Sequence, residues 1–250
     1  MTQKKTVYQS LLDFRREHGP GLIVLLDPDR TEAREMAALA KRAQDAGAAA
    51  ILYGTSFLTG NHYEESLITV KAATTLPVIL FPSNSRQLTA NADAVLLLSL
   101  VSSRNPQYLI GEQVVAAPVI KQLKLEAIST GYLLISSGRI TTAEFMSGSP
   151  PIPRDKPELV AAHALASEQL GMKLVYLEAG SGAELAVPTE VIAATRKEIS
   201  LPLIVGGGIR TPEQARAAVN AGADFIVIGT LLEEQPGSEI KTFVKSLHLS

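Results

Sequence analysis

The 250-residue chain has no cysteine and no tryptophan, only four histidines, and nearly balanced charge, with 23 Lys and Arg against 25 Asp and Glu. Without thiols there can be no disulfide framework, thiolate zinc site, iron–sulfur cluster or cysteine nucleophile. A net charge of -2 lacks the basic excess of a nucleic-acid binder. No stretch of about 18 uncharged apolar residues is present, so no stable membrane insertion is expected. The opening Met1-Thr2-Gln3-Lys4-Lys5-Thr6-Val7 has two cations but no apolar run behind them, unlike a signal peptide. These absences lead to the expectation of a soluble, cytoplasmic, mixed α/β protein. Its length suits one (β/α)-type barrel, which takes about 250 residues, so a single barrel domain over 1–250 is expected.

What is present is a rhythm. Short apolar runs at 22–27, 48–53, 77–81, 94–98, 132–135, 173–177, 203–205 and 225–228 show no polar alternation, as in parallel strands buried on both faces. Helical patterns lie between them at 31–46, 63–74, 106–125, 157–170, 189–198, 212–221 and 239–247. Thr31 reads as an N-cap, Gly47 as a stop, and Pro157 and Pro212 as first-turn prolines. Eight strands, each followed by a helix or an irregular connection, predict an α/β fold, a (β/α)8 TIM-type barrel with an irregular segment in place of one helix. Similar phrases recur about half a chain apart. Leu76-Pro77-Val78-Ile79 echoes Leu201-Pro202-Leu203-Ile204, and Ala92-Asp93-Ala94 echoes Ala221-Gly222-Ala223-Asp224, which suggests two related half-barrels. Common turn composition would produce part of that echo. Residues 136–156, rich in Gly, Pro and Ser, form a loop long enough for a lid or a binding loop.

In such barrels the chemistry sits at the carboxyl ends of the strands. The seventh strand ends in Gly206-Gly207-Gly208 before a helix, and the eighth in Gly229-Thr230. Glycines let backbone amides approach an anion closely, and these two loops are the usual phosphate grip, although a tight turn would also use glycine. The first strand ends in Asp27-Pro28-Asp29 and the second in Gly54-Thr55-Ser56. Carboxylate and hydroxyl together offer hard oxygen ligands for Mg²⁺; helix capping by Asp27 or Asp29 is the competing role. Tyr176 and Glu178 fall on one side of the sixth strand, aimed into the barrel mouth, where they could hold a polyol. A structural ion pair is the other reading of Glu178. His18, His62, His163 and His248 have no ligand spacing, so histidine acid–base catalysis is not expected.

Together these pieces resemble the geranylgeranylglyceryl phosphate synthase family, which includes the heptaprenylglyceryl phosphate synthases. The resemblance runs from the first strand to the eighth. Its most specific part is Pro151-Ile152-Pro153-Arg154-Asp155-Lys156-Pro157, followed by Leu170-Gly171-Met172-Lys173-Leu174-Val175-Tyr176-Leu177-Glu178-Ala179-Gly180-Ser181-Gly182. Leu26-Asp27-Pro28-Asp29-Arg30, Gly54-Thr55-Ser56, the stretch 202–209, and 221–224 with Gly229 add to it. The chain departs from the family at Glu144-Phe145-Met146, where Gly-Trp or similar is usual.

The resemblance implies a prenyltransferase that joins sn-glycerol 1-phosphate to geranylgeranyl diphosphate or a similar long prenyl diphosphate and releases diphosphate. It implies Mg²⁺ on Asp27 and Ser56. It also implies glycerol 1-phosphate on Tyr176, Leu177, Glu178, Ala179, Gly180, Ser181, Gly182, Gly207, Gly208, Gly229 and Thr230, with Glu178 and Tyr176 catalytic. A homo-oligomer is further implied, and the 46% hydrophobic content leaves room for a lipid-binding trough and loose membrane contact. The prenyl tail needs an apolar trough, for which 96–101 and 114–120 are candidates, with core packing or subunit contact as the other use of the same residues. Competing functions are a phosphosugar isomerase or lyase of the phosphate-binding barrel type and a non-catalytic phosphate-ligand binder.

Overall fold

The computed structural model describes residues 5–234 and 240–248. Its eight strands are β1 (Gly21–Leu26), β2 (Ala50–Tyr53), β3 (Val78–Leu80), β4 (Ala94–Leu100), β5 (Glu126–Leu134), β6 (Leu174–Glu178), β7 (Leu203–Gly206) and β8 (Phe225–Ile228). All pair in parallel and in chain order, and β8 returns to β1 with Gly21 opposite Phe225. Closure leaves no sheet edge to protect, so the strands can be apolar on both faces. The expected (β/α)8 barrel is therefore present.

The helices are α1 (Val7–His18), α2 (Ala33–Ala46), α3 (Tyr63–Ala73), α4 (Glu112–Leu123), α5 (Thr142–Ser147), α6 (Pro157–Gln169), α7 (Thr189–Glu198), α8 (Pro212–Asn220), α9 (Thr230–Glu234) and α10 (Ile240–Leu247). The irregular replacement for a helix falls between β3 and β4, where only a 3₁₀ turn, Ser85–Gln87, intervenes. Pro157 and Pro212 both sit at helix starts. Glu239, the expected first residue of the last helix, lies outside the described residues, as do residues 1–4.

Four expectations need correction. Helix α1 was not foreseen; it closes the bottom of the barrel with Leu11 inside the inner cluster. Thr31 does not cap α2, whose N-cap is Glu32. The Asp27 carbonyl takes the amides of Arg30 and Thr31, so the turn leaving β1 uses up Thr31 and delays the helix. Strand β5 begins at Glu126 rather than 132, because its Thr130-Gly131 pair is buried strand and not a turn. A Cβ on Gly131 would lie 2.3 Å from Ser167 Oγ, so this glycine lets α6 pack on the sheet. The 136–156 loop is less irregular than expected: it contains α5, and Ile152 bridges to Ile135 beside the barrel.

The half-chain echo has a structural counterpart. Asp93 Oδ2 accepts the Val78 amide at 2.8 Å and pairs with Lys71 Nζ at 2.5 Å. Asp224 Oδ2 accepts the Leu203 amide at 2.8 Å and pairs with Arg196 Nη1 at 3.0 Å. Each aspartate thus joins the first residue of the third strand of its half to the preceding helix, below the sheet. Among the described residues no helix is long and apolar enough to cross a membrane.

Candidate active site

Strand β6 places Tyr176 and Glu178 on the inner face of the barrel, deeper than a mouth position, with Glu178 only 5% exposed. Glu178 Oε1 accepts the Gly180 amide at 2.6 Å. The hydroxyls of Tyr176 and of Tyr132, its cross-strand neighbour on β5, face the same carboxylate. Among the described residues no lysine or arginine pairs with it, so the structural ion pair considered for Glu178 is not found there. Burial pushes its carboxyl up to about 7, with the Gly180 amide and the two phenols opposing that rise. Burial, followed by the carboxylate itself, holds both phenols well above their ordinary range. Phe81 stacks on Tyr176 at 5.3 Å and 6°, and Tyr132 meets both rings edge-on. The buried Tyr176 hydroxyl makes no well-formed hydrogen bond, although it faces the Glu178 carboxylate.

The raised Glu178 pKa makes a stability prediction. A carboxyl whose folded pKa lies above its ordinary value of 4.5 stabilises the fold below that value, and loses the contribution as pH rises through about 7. The loss is on the order of 3 kcal/mol at one pKa unit per about 1.4 kcal/mol. Glu178→Gln is therefore expected to melt with the parent near pH 5 and well above it at pH 8 and beyond. Parallel melting curves at both pH values would refute this.

Around Glu178 the backbone turns through glycines. Gly180, Gly182, Gly207 and Gly208 all have positive φ. A Cβ on Gly207 would lie 2.4 Å from Glu178 Oε1 and 2.7 Å from the Gly180 amide nitrogen. Gly182 N donates to Thr230 Oγ1 at 3.3 Å, tying the β6 exit to the β8 exit, where Gly229 also lines the cavity. The Pro-rich signature braces this arrangement from behind. Arg154 donates to the carbonyls of Ser136 and Ala186 at 3.3 and 3.2 Å, and Arg139 donates to the Gly182 carbonyl.

Across the cavity Asp27 is 8% exposed, so the exposed carboxylate expected from sequence is in fact nearly buried. Its Oδ1 accepts the Asp29 amide at 2.9 Å, the Thr55 hydroxyl faces it, and Arg30 Nε stands 3.7 Å away. Burial raises its pKa, and these donors oppose the rise. Asp29 neither caps α2 nor faces the cavity centre. Its carboxylate accepts the amides of Thr59 at 2.7 Å and Gly60 at 3.0 Å. Ser56 shares a wall of the cavity with Asp27. Among the described residues no three His, Cys, Asp or Glu side chains gather as a metal cluster. A cation here would rely on Asp27, hydroxyl oxygen, water and ligand oxygens, a donor set that fits Mg²⁺.

One cavity of about 490 Å³ joins these parts. From Asp27, Ser56 and Glu178 it runs outward between β4 and α4, lined by Leu96, Leu98, Leu100, Ala116 and Ile120. Of the trough candidates 96–101 and 114–120, Leu96, Leu97, Leu98, Leu100, Ala116 and Ile120 line it, whereas Val114 and Val115 point outward at 64% and 53% exposure. The histidines stay away from it. The sequence assigns no role to Tyr132 or Gln87, and Thr55 enters there only as part of the Gly54-Thr55-Ser56 strand end. Only the inward register of β5 could have indicated Tyr132, and that strand was cut short.

Residues 12–247 match the PcrB family. The chain is 43% identical to the geranylgeranylglyceryl phosphate synthase of Spirosoma linguale, over 96% of this chain and 97% of that one. It is 45% identical to the synthase of Aeropyrum pernix, covering 94% of each. Its fold superposes with a TM-score of 0.91, at 36% identity and over 96% of this chain and 98% of the other, on the Thermoplasma acidophilum (S)-3-O-geranylgeranylglyceryl phosphate synthase in complex with its substrate sn-glycerol-1-phosphate. With the match reaching from α1 to α10, the chain belongs to the PcrB family, alongside the geranylgeranylglyceryl phosphate synthases.

Proposed function

We propose that this protein is a prenyltransferase that joins sn-glycerol 1-phosphate to geranylgeranyl diphosphate or a similar long prenyl diphosphate. The products are geranylgeranylglyceryl phosphate and diphosphate. The carrying observation is one cavity in which a buried carboxylate stands between a glycine-lined cradle and an apolar trough. The synthase relatives and the glycerol phosphate-bound Thermoplasma enzyme support the same reading. A phosphosugar enzyme would have no use for the trough.

Tyr176 through Gly182, with Gly207, Gly208, Gly229 and Thr230, hold glycerol phosphate, the phosphate oxygens meeting backbone N–H groups brought close by the absence of Cβ atoms. Tyr176, whose hydroxyl faces Glu178, positions the glycerol beside that carboxylate. Glu178 orients the 3-hydroxyl and takes its proton as the oxygen bonds to the prenyl carbon and the carbon–diphosphate bond breaks. A carboxyl near pH 7 is part ionised at neutrality, which suits a base. Asp27 and Ser56 would hold Mg²⁺, which supplies charge compensation to the departing diphosphate. Positioning and electrostatics carry the rate.

We further assign the chain to one barrel domain, placed in the cytoplasm as a homo-oligomer. Exposed Phe57, Ile110, Ile140 and Phe145, in the segments that connect the strands, suit loose contact with membrane.

The test is incubation with sn-glycerol 1-phosphate, Mg²⁺ and a ladder of prenyl diphosphates, with products read by mass. An ether product is expected; none at any chain length overturns the proposal. Asp27→Asn is expected to raise the Mg²⁺ concentration for half-maximal activity about tenfold or more. An unchanged Mg²⁺ titration would remove Asp27 from the cation site.

A further inference from the structure

Asp27 and Ser56 leave different strands, so the distance between them depends on how the β2 exit is held. Its first residue is immobilised: Gly54 N donates to the Leu26 carbonyl at 3.2 Å, and a Cβ there would lie 2.1 Å from the Phe81 carbonyl oxygen. The far end is held where Asp29 accepts the amides of Thr59 and Gly60. Between these anchors the chain has one further fixed point. Gln87 Nε2 donates to the Thr55 carbonyl at 3.0 Å and to Ser83 Oγ at 2.8 Å.

Gln87 is fully buried and does not line the cavity. Its Oε1 has no partner. A buried amide with an unpaired oxygen is a poor choice for filling space, because a methionine of similar length would do so without desolvating an acceptor. What the amide supplies and methionine cannot is its pair of N–H donors. They join the β3 exit at Ser83 to the β2 exit at Thr55. The Thr55 hydroxyl faces the Asp27 carboxylate, and the residue leads directly into Ser56.

We propose that Gln87 is the positioning residue of the cation site, holding Thr55 so that Ser56 stays beside Asp27 on the same wall of the cavity. The inference rests on the reading that Asp27 and Ser56 hold Mg²⁺. Its action passes through Thr55, since its own side chain reaches neither cation nor substrate.

The test uses the full chain with Gln87→Met, which keeps the volume and removes the donors. Mn²⁺ alone serves as the probe, its binding followed by the loss of the free-ion EPR signal. The variant is expected to keep its melting temperature, bind Mn²⁺ about tenfold or more weakly, and need correspondingly more Mg²⁺ for half-maximal activity. The KM for sn-glycerol 1-phosphate is expected to stay at the parent value. Unchanged Mn²⁺ affinity, or a parallel rise in that KM, overturns the proposal, because a merely structural residue would loosen both substrate sites together. Should Gln87→Met melt early, Gln87→Glu carries the test with the same two outcomes, since it keeps the shape but sets an oxygen against the Thr55 carbonyl. A parent enzyme that binds no Mn²⁺ and works without Mg²⁺ overturns the cation reading itself. A parent that binds it as tightly as its variants overturns only the role of Gln87.

Discussion

Glu178→Gln is expected to lower kcat about 10³-fold, within the range that positioned proton transfer contributes. Affinity for sn-glycerol 1-phosphate should change little. The substitution keeps the shape of the side chain and the oxygen that accepts the Gly180 amide, and removes only the capacity to take a proton. The glycines that would grip phosphate are untouched, so calorimetric binding should persist while turnover disappears. The parent's pH profile supplies the companion result. Activity should rise with pH as Glu178 ionises through about 7, and the variant's residual activity should lack that limb. Turnover near the parent level would remove Glu178 from the chemistry. This residue works against the stability of its own fold. The ionised form that the proposed base requires is the form the buried site disfavours, so the variant expected to lose activity is the one expected to gain stability at alkaline pH.

Gly207→Ala is expected to weaken sn-glycerol 1-phosphate binding about 100-fold, the scale of a misplacement of about 1 Å in an oriented site. Two effects combine there. The residue has φ +80, where a side chain costs about 1–2 kcal/mol. The added methyl would also meet Glu178 Oε1, Gly180 N and Gly180 O, all within 2.8 Å, so carboxylate and cradle must move together. Gly171→Ala separates the two effects, because φ is +79 but nothing lies within 4 Å of the new atom. That control should lose some stability and no affinity. Equal affinity losses in both variants would mean that strain alone is responsible, and that Gly207 is no part of a ligand cradle.

Much of this was legible in the chain, for identifiable reasons. Parallel strands buried on both faces leave uninterrupted apolar runs, and a phosphate-binding turn leaves glycine where a Cβ would collide, so β7 with Gly207 and Gly208 could be read directly. Asp27, Tyr176 and Glu178 followed from the rule that strand ends carry the chemistry. Three features were hidden. Strand β5 opens with Glu126 and carries Ser129-Thr130-Gly131 before Tyr132, so the apolar run at 132–135 shows only its last part. The two aspartates of Asp27-Pro28-Asp29 are equivalent on paper, and only hydrogen bonds spanning about 30 residues assign Asp29 to the β2 loop. Gln87 lies in a stretch without periodicity, and its partners come from another loop.

The paired aspartates below the barrel carry a consequence for the order of assembly. Lys71 and Asp93 are 22 residues apart in the chain, Arg196 and Asp224 are 28, so each contact closes a short loop at small entropic cost. The seam between β1 and β8 joins the two ends of the chain and must wait for everything between. Arg15 of α1 reaches Asp224 at 2.7 Å, so the second aspartate contributes to a local clasp and also to the final ring closure. The barrel is thus organised to acquire its two halves early and its roundness late. Its active site draws on β1 and β2 on one side and on β6, β7 and β8 on the other, so it comes into being only when that last seam shuts.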